Sequence, residues 1–325
     1  MTRLGVVAAA AAVLAALTPA AAEDWPTRPI TMVVPFAAGG AFDVLGRVFT
    51  PPLTRSLHQQ VIVENVGAAA GIVGTSRVAK AAPDGYTFLL GSVGTQAYNA
   101  TLYKKLPYNP ATDFAPVALF AEQPMVLLTR KEFPADNLQQ FIAYAKANGS
   151  RLQYGSAGIG STTHLACALL NSAAGIEVTH VPYRGGGPVM ADLIAGQLHY
   201  MCSNSAGALP QINSHTLKGI ANLGRSRSPH LPDLATAQEQ GLADFEAVTW
   251  NAFFLPKATP AAIVDKLHGA VIEAMNDPAV KARMDDLGVT LVEPERRAPD
   301  YLQKFVESEI AKWAVAIKAA GVSVD

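Results

Sequence analysis

The chain has 325 residues, of which 50% are hydrophobic and 16% are charged, and its 25 lysines and arginines nearly balance its 26 aspartates and glutamates. This balance excludes the basic surface that nucleic-acid binding requires. The length predicts two folding units, since a domain usually takes roughly 150 residues.

The N-terminus has the pattern of a secretory signal peptide. Arg3 is followed by an uninterrupted apolar stretch from Leu4 to Leu17, and then by small residues that end at Ala22. A positive start, a short apolar run and small residues before the cut are typical of exported proteins. We expect cleavage after Ala22 and a periplasmic protein. The alternative, a weak membrane anchor, is disfavoured because a membrane span needs about 20 apolar residues.

The two cysteines, Cys167 and Cys202, bear on the redox compartment. Neither has a CxxC neighbour or a partner at metal-site spacing. Each lies in an apolar run, one with helical spacing and the other at the end of a strand pattern, so two buried thiols are the simplest interpretation. A disulfide between them is the alternative, and an exported protein allows it.

Apolar strands alternate with helices along the chain. The predicted strands are 30–34, 61–63, 86–90, 117–121, 125–129, 152–154, 177–181, 198–202 and 217–222, and the last of these is expected to return to the first unit. The predicted helices are 42–55, 72–82, 95–103, 137–147, 161–174, 188–195 and, with breaks at Pro278 and Pro294, 260–320. This alternation predicts an α/β fold of two lobes, each a mainly parallel sheet flanked by helices.

Two chain crossings divide this fold into lobes. After the leader, residues 1–22, we assign 23–122 and 226–325 to lobe 1 and 123–225 to lobe 2. The connecting strands near 120–125 and 222–226 would act as a hinge, so a ligand that contacts both lobes would favour a closed form.

Four loops after predicted strands are rich in glycine, serine and threonine. They are Pro35 to Gly40, Gly91 to Thr95, Gly155 to Thr162 and Pro182 to Gly187. Ligands of doubly wound sheets bind outside the carboxyl ends of the strands, where free amides and helix dipoles favour an anion. Because Arg184 is the single positive charge in these loops, we expect amides and hydroxyls to hold an anionic ligand.

Motifs of catalysis and of metal binding are absent. Residues 154–158 lack the first glycine of GxSxG, and the sequence contains no GxGxxG loop, Walker lysine or HExxH. We therefore expect neither a metal nor a cofactor. His164, three residues after Ser161, could donate to a ligand, act as a general base or be hydrogen-bonded within its own lobe. Asp43 and Arg47 have the spacing of a helical ion pair, which indicates a structural role.

The loops, in this order, resemble the Bug family of extracytoplasmic solute receptors, the substrate-binding proteins of tripartite tricarboxylate transporters. The residues that carry the resemblance span nearly all of the chain after the leader: Trp25 to Ile30, Val34 to Gly40, Asp43, Arg47, Val63 to Asn65, Pro83 to Thr87, Leu106 to Tyr108, Tyr154 to Ser156, Gly160, Ser161, His164, His180 to Gly185, Leu231 to Asp233 and Trp250. The resemblance implies a two-lobed, type II periplasmic binding protein with the ligand cleft between its lobes. Such a receptor is not an enzyme: it closes on a small carboxylate and presents it to membrane subunits.

The resemblance also implies a set of ligand-binding residues, to which we add Phe42 and His164. The carried-over residues are Phe36, Ala37, Gly39, Gly40, Ser92, Thr95, Ser156, Ser161, Thr162 and Tyr183. Two departures stand out: Phe42 replaces a small residue, and residues 66–71 lack the arginine that the family commonly has there. We expect the receptor to be a monomer.

Three functions compete at this point. The leading hypothesis is a periplasmic carboxylate receptor of a secondary transporter. The first alternative is an exported hydrolase that uses Ser156 or Ser161 with His164. The second is a receptor that signals to a sensor kinase and has no transport partner.

Phe36 and Phe42 flank the Gly39-Gly40 turn and could form an aromatic wall beside the ligand. Such a wall favours an aromatic or extended aliphatic carboxylate over citrate, because stacking adds to the free energy of burial. The alternative is that Phe42 packs in the helix core with Leu45 and Phe49, as its spacing also allows.

Overall fold

The structure, a computed structural model, describes residues 25–319, and the predicted signal peptide lies outside the described residues. The strands are β1 (Ile30–Val34), β2 (Val61–Asn65), β3 (Thr87–Ser92), β4 (Phe114–Arg130), β5 (Gln153–Ser156), β6 (Thr179–Pro182), β7 (Tyr200–Asn204), β8 (Leu217–Asn222), β9 (Val248–Pro256) and β10 (Thr290–Leu291). The α-helices are α1 (Ala41–Leu57), α2 (Ile72–Ala79), α3 (Asn99–Leu102), α4 (Leu138–Asn148), α5 (Thr162–Ala174), α6 (Gly186–Ile194), α7 (Ser205–Asn213), α8 (Ala261–Asn276), α9 (Pro278–Asp286) and α10 (Pro299–Ala319). A π-helical turn, Gly94–Tyr98, precedes α3, and 3-10 turns occupy Ala69–Gly71, Gly149–Arg151 and Pro294–Arg296.

All ten strands belong to one curled sheet with the order β2-β1-β3-β9-β4-β7-β5-β6, and β8 and β10 also pair with β4. At one end β1 is parallel to β2 and β3, and at the other β5 is parallel to β6 and β7. These are the parallel pairs that the alternating pattern predicts. The antiparallel strands β4 and β9 lie between them.

Strand β4 runs through both halves of the sheet. The prediction of two separate strands, 117–121 and 125–129, is wrong: β4 is continuous over 17 residues. Its first part pairs with β9 as far as Pro124, and from Met125 it pairs with β7. The missing N–H of Pro124 therefore falls where the pairing changes partner, so proline does not interrupt the strand.

The return to the first half of the sheet is made by β9 and not by β8. Strand β8 pairs with the last part of β4, Val126 to Arg130, so the prediction that residues 217–222 return to the first unit is wrong. Strand β9 pairs with both β3 and the first part of β4. Both pairings join residues far apart in sequence, which local periodicity does not reveal.

Separate hydrophobic clusters support the two halves. One surrounds β1, β3 and β9, where Phe253 stacks on Phe120 at 4.6 Å between ring centroids. Two others pack against the second half of the sheet. Cys167 of α5 and Cys202 of β7, both fully buried, form a disulfide. The interpretation as two thiols is therefore wrong, and the disulfide alternative is confirmed.

None of the helices within residues 25–319 combines the length and the apolar character that crossing a membrane requires.

Candidate functional site

A cavity of about 150 Å³ lies where the first glycine-rich loop meets helices of the second half of the sheet. It is lined by Phe36, Gly39, Gly40, Ala41, Phe42, Val44, Ala157, Thr163, Gly186, Met190, Met201, Ser203, Asn204, Ala206, Gly207, Pro210 and Gln211. No acidic, basic or histidine side chain is among these residues. A ligand in this cavity would therefore meet amides, hydroxyls and apolar groups.

Four helices begin at this cavity: α1, α5, α6 and α7 each contribute a residue of their first turn to its lining. A helix N-terminus carries unpaired N–H groups and a partial positive charge. Their convergence explains how a cavity without a cationic side chain can still attract an anion.

The four helices differ in how their first turns are capped. The hydroxyl of Ser161 accepts a hydrogen bond from the His164 amide of α5, and Oδ1 of Asn204 accepts one from the Gly207 amide of α7. The N-caps of α1 and α6 are Gly40 and Gly185, which have no side chain with which to cap.

The two uncapped helix ends lie close together at the edge of the cavity. A Cβ atom built on Gly40 of the first loop would lie 3.2 Å from the amide nitrogen of Gly187. Within the described chain, the amides of Ala41, Phe42 and Gly186 donate no hydrogen bond. Two helix ends with partial positive charges and free donors thus lie side by side, and an anion in the adjoining cavity would stabilise this arrangement.

The glycine turn before α1 is held by Asp43. Its carboxylate accepts hydrogen bonds from the Gly39 amide at 2.9 Å and from Nε of Arg47 at 3.0 Å. Burial by itself raises the pKa of Asp43, but the hydrogen bonds from Arg47, Gly39 and Asn65 outweigh it and lower the pKa below its usual value. The predicted ion pair of Asp43 with Arg47 is confirmed. Since Asp43 occupies the Gly39 amide, that N–H is not free for a ligand.

Phe36 and Phe42 form one wall of the cavity. Their rings stack with centroids 4.6 Å apart and an interplanar angle of 26°. Phe42 also belongs to the hydrophobic cluster that contains Leu45 and Phe49. Both interpretations of this residue therefore describe part of its surroundings.

Four of the predicted ligand-binding residues, Phe36, Gly39, Gly40 and Phe42, line the cavity; the other eight lie outside its lining. Ala37 packs against the opposite loop, where a Cβ atom on Gly185 would lie 2.7 Å from the Ala37 amide.

Three more of the eight bind other parts of the protein. Ser92 and Thr95 are fully buried and bonded to each other, with the Ser92 amide donating to Oγ1 of Thr95 at 3.1 Å. The Tyr183 hydroxyl donates to Asp192, and burial raises the pKa of Tyr183 to about 12.

The loop from Gly155 to Thr162 is also internally bonded. The Ser161 hydroxyl donates to the Gly158 carbonyl at 2.7 Å. Oγ1 of Thr162 is buried without a hydrogen-bond partner among the described residues, and a Cβ atom on Gly94 would lie 3.2 Å from it.

Two histidines lie behind this loop. Nδ1 of His164 accepts from the Gly160 amide at 3.1 Å, and the ring centroids of His164 and His180 are 4.3 Å apart. Burial, with a smaller contribution from His180, lowers the pKa of His164 to about 3, and burial lowers that of His180 to about 4. Both rings are therefore neutral at neutral pH. His164 is hydrogen-bonded within its own lobe, which is the third of the three roles considered for it in the sequence analysis.

The pairing required by the hydrolase alternative does not form. Ser156 bonds to His180 rather than to His164, and its hydroxyl is fully buried. No carboxylate of residues 25–319 hydrogen-bonds to either histidine. No cluster of three metal-ligating side chains occurs in this part of the chain either.

Ser203, Asn204, Ala206 and Gly207 are lining residues that sequence reasoning missed. The hydroxyl of Ser203 and Nδ2 of Asn204 form no hydrogen bond with a described residue, although both residues are buried. The sequence did contain a signal for them, because a run of small and polar residues with a glycine follows the predicted strand 198–202, just as such runs follow the four strands whose loops were selected.

Comparison with known proteins identifies the family. The sequence model of the family described as "Tripartite tricarboxylate transporter family receptor" matches residues 45–322. Protein BugT of Bordetella pertussis is 35% identical over 329 residues, covering 100% of this chain and 99% of BugT. The structure of the periplasmic binding protein BugD has a TM-score of 0.90 and 37% identity, covering 92% of this chain and 99% of BugD. MatC of Rhodopseudomonas palustris, solved with bound malate, has a TM-score of 0.88 and 39% identity, covering 90% of this chain and 100% of MatC.

These matches extend over most of the chain, and the structural matches are two-lobed binding proteins of type II. They confirm the predicted fold and the resemblance to the Bug family. The family consists of solute receptors, so the prediction that the protein is not an enzyme is also confirmed. The chain belongs to the receptor family of the tripartite tricarboxylate transporters, the Bug family of periplasmic solute-binding proteins.

Proposed function

We propose that this receptor captures a small carboxylate in the cavity between its lobes and delivers it to the membrane subunits of a tripartite tricarboxylate-type secondary transporter. One observation supports this proposal most directly: two uncapped helix N-termini, those of α1 and α6, come together at a cavity without charged side chains. Free amides provide directed hydrogen bonds to a carboxylate, and the helix dipoles add attraction.

Neutral donors suit a receptor that must also release its ligand. Each hydrogen bond to a charged group contributes roughly 1.5 to 3 kcal/mol, and association costs offset much of the total. Three or four such bonds correspond to micromolar affinity, about 8 kcal/mol. The malate bound to MatC supports a carboxylate as the class of ligand.

The ligand-binding set that we propose joins the predicted residues to those that the cavity adds. Phe36, Gly40 and Phe42 come from the first lobe, and Ser203 and Asn204 from the second. Ala37 packs against the opposite loop at Gly185. Seven other predicted residues hold the loops in place through the hydrogen bonds described above: Gly39, Ser92, Thr95, Ser156, Ser161, His164 and Tyr183.

We propose two lobes that divide near residues 122–123, as the sequence gives, but with the return placed at the start of β9 instead of at 225–226, because Ala237 and Phe245 still pack in the hydrophobic cluster of the second half. Strand β4 would then cross between the lobes near Pro124. The second crossing lies beside it, because the Met125 amide donates to the Ala247 carbonyl at 3.0 Å, just before β9 begins. Crossings so close together would let the lobes rotate about a common line.

We further propose export with cleavage after Ala22, and a monomeric receptor. Genes for a large and a small membrane subunit beside this gene would support delivery to a transporter over signalling to a kinase.

A thermal-shift screen of mono-, di- and tricarboxylates tests the proposal, with the matching primary amides as neutral controls. A ligand at 100 times its Kd should add about 2.7 kcal/mol to the free energy of unfolding. We expect at least one carboxylate to raise the melting temperature and its amide to have no effect. If no carboxylate does so and calorimetry detects no binding, the proposed function is wrong.

A further inference from the structure

We propose that the ligand is an aromatic monocarboxylate of about the size of benzoate. This inference rests on the proposed carboxylate receptor and narrows its ligand class. It combines three properties of the cavity: free hydrogen-bond donors, aromatic and thioether side chains in its lining, and the absence of a cation to pair with a second negative charge.

The donors lie where α1 and α6 begin. The amides of Ala41, Phe42 and Gly186 are free, and two buried side chains at the same cavity are also unpaired. These are Ser203 and Asn204, each 4% exposed, whose Oγ and Nδ2 atoms bond to no described residue. Both residues line the cavity, so these unpaired polar atoms can bind an acceptor there that the protein does not supply.

Aromatic and thioether side chains line much of the cavity. The stacked rings of Phe36 and Phe42 form one side, and Met190 and Met201 also line it. An aromatic ring gains from offset stacking on phenylalanine and from contact with thioether sulfur. A cavity of 150 Å³ with apolar walls is also the size that holds one benzene molecule.

A second carboxylate has no cation to pair with here. Arg184 lies on a different, open groove with Tyr183, and Arg47 is held by Asp43. In a dicarboxylate, the second charge would be desolvated against Met190 and Phe42, which is unfavourable without a partner. The cavity should therefore prefer one negative charge on an apolar body.

Titration calorimetry of the purified protein with benzoate, cyclohexanecarboxylate, benzamide, adipate and malate tests this inference. We expect benzoate to bind at least tenfold more tightly than adipate or malate, and benzamide to show no binding. Cyclohexanecarboxylate, which has the same charge but no flat ring, should bind several-fold more weakly than benzoate.

A pair of variants tests whether the ring of Phe42 causes the preference for benzoate. Phe42→Leu should weaken benzoate binding by about tenfold, the upper range for a lost stacking contact, and should remove the preference for benzoate over cyclohexanecarboxylate. Phe305→Leu is the matched control, since Phe305 is a partly buried phenylalanine outside the cavity lining. It should leave benzoate affinity unchanged.

The outcomes separate the inference from the proposed function. Tighter binding of adipate or malate than of benzoate would overturn the aromatic monocarboxylate while leaving a carboxylate receptor. Equal binding of benzamide and benzoate would overturn the anion site. An unchanged benzoate affinity in Phe42→Leu would overturn the aromatic wall. Binding by none of the carboxylates would overturn the proposed function itself.

Discussion

Oγ of Ser156 lies 2.6 Å from Nε2 of His180, and the ring of His180 lies 4.8 Å from that of Tyr154 and 4.3 Å from that of His164. Ser156 and His164 hold the loop between β5 and α5, because they accept hydrogen bonds from the Gly158 and Gly160 amides at 3.1 Å. Ala157 and Thr163, at the two ends of this loop, line the cavity. The neutral rings of His164 and His180 therefore help to position the residues that line the cavity. The stability of this region should depend on pH.

Acid should destabilise the protein through His164. Its pKa is lowered to about 3 by burial in the folded chain, whereas an unfolded histidine titrates near 6.5. The unfolded state therefore binds the proton first, and stability falls as the pH drops from about 6.5 toward the folded pKa. We expect His164 to account for a loss of ~2 kcal/mol between pH 7 and pH 5. Urea unfolding at a series of pH values measures it.

The matched control is His164→Asn. An asparagine can accept the hydrogen bond from the Gly160 amide but does not titrate, so its stability should vary less with pH over the same range. Parallel pH profiles for the variant and the parent protein would exclude His164 as the titrating group.

Removing the Asp43 carboxylate should loosen the glycine turn. Asp43→Ala removes a carboxylate that is itself 5% exposed and that accepts a hydrogen bond from the amide of Gly39, an exposed residue. A hydrogen bond to a charged group contributes about 1.5 to 3 kcal/mol, and because water can replace part of this one we expect a loss of about 1 to 2 kcal/mol together with weaker ligand binding. Arg47→Ala is the control: because the Arg47 side chain is 57% exposed, its loss should cost less than about 1 kcal/mol. Equal losses in the two variants would show that the ion pair, and not the turn, carries the stability.

The sequence of the first glycine-rich loop was sufficient to predict the part of the candidate site that this loop forms. A strand that ends at Val34, followed by Gly39 and Gly40 and then by helical spacing, places free amides at the edge of a sheet. Phe36 and Phe42 reach the cavity because they flank that turn. These four contributions from the first loop required no knowledge of distant contacts.

The rest depended on contacts between distant segments. Sequence alone does not reveal that Ser92 and Thr95 bond to each other, since a hydroxyl that binds a ligand and one that caps its own turn look alike. The pairing of β9 with β3 and β4 joins segments more than 120 residues apart, so periodicity could not indicate it. Ser203 and Asn204 were missed for a different reason: the predicted strand ended at Cys202, and the polar run after it was not treated as a loop.

Reduction of the disulfide should destabilise the second half of the protein. Cys167 and Cys202 close a loop of 35 residues and tie α5, which begins at the cavity, to β7, which ends at it. The double variant Cys167→Ala/Cys202→Ala should lose about 2 to 4 kcal/mol of unfolding free energy. Reductant should cause the same loss in the parent protein and none in the variant. A parent protein whose unfolding midpoint is insensitive to reductant, under conditions that reduce the bond, would refute the stabilising role.

Gly185→Ala should oppose closure of the two lobes without straining the backbone. Gly185 has an extended conformation, with φ at 169°, that alanine also adopts. However, its Cβ atom would lie 2.7 Å from the Ala37 amide and 2.8 Å from the Ala37 Cβ atom across the cleft, so one loop must move away from the other. Because a ligand that contacts both lobes binds best when they are closed, affinity should fall at least tenfold.

Small-angle scattering and calorimetry together check this expectation. With the carboxylate that binds the parent protein best, saturation should reduce the radius of gyration of the parent protein and reduce that of Gly185→Ala less. The melting temperature without ligand should be nearly the same in both proteins, since the new contact lies between the lobes. Gly269→Ala is the control: a Cβ atom there has no neighbour within 4 Å, and alanine favours the interior of α8. That variant should bind and close like the parent protein. Gly185→Ala binding with the affinity of the parent protein would mean that this contact does not belong to the ligand-bound state.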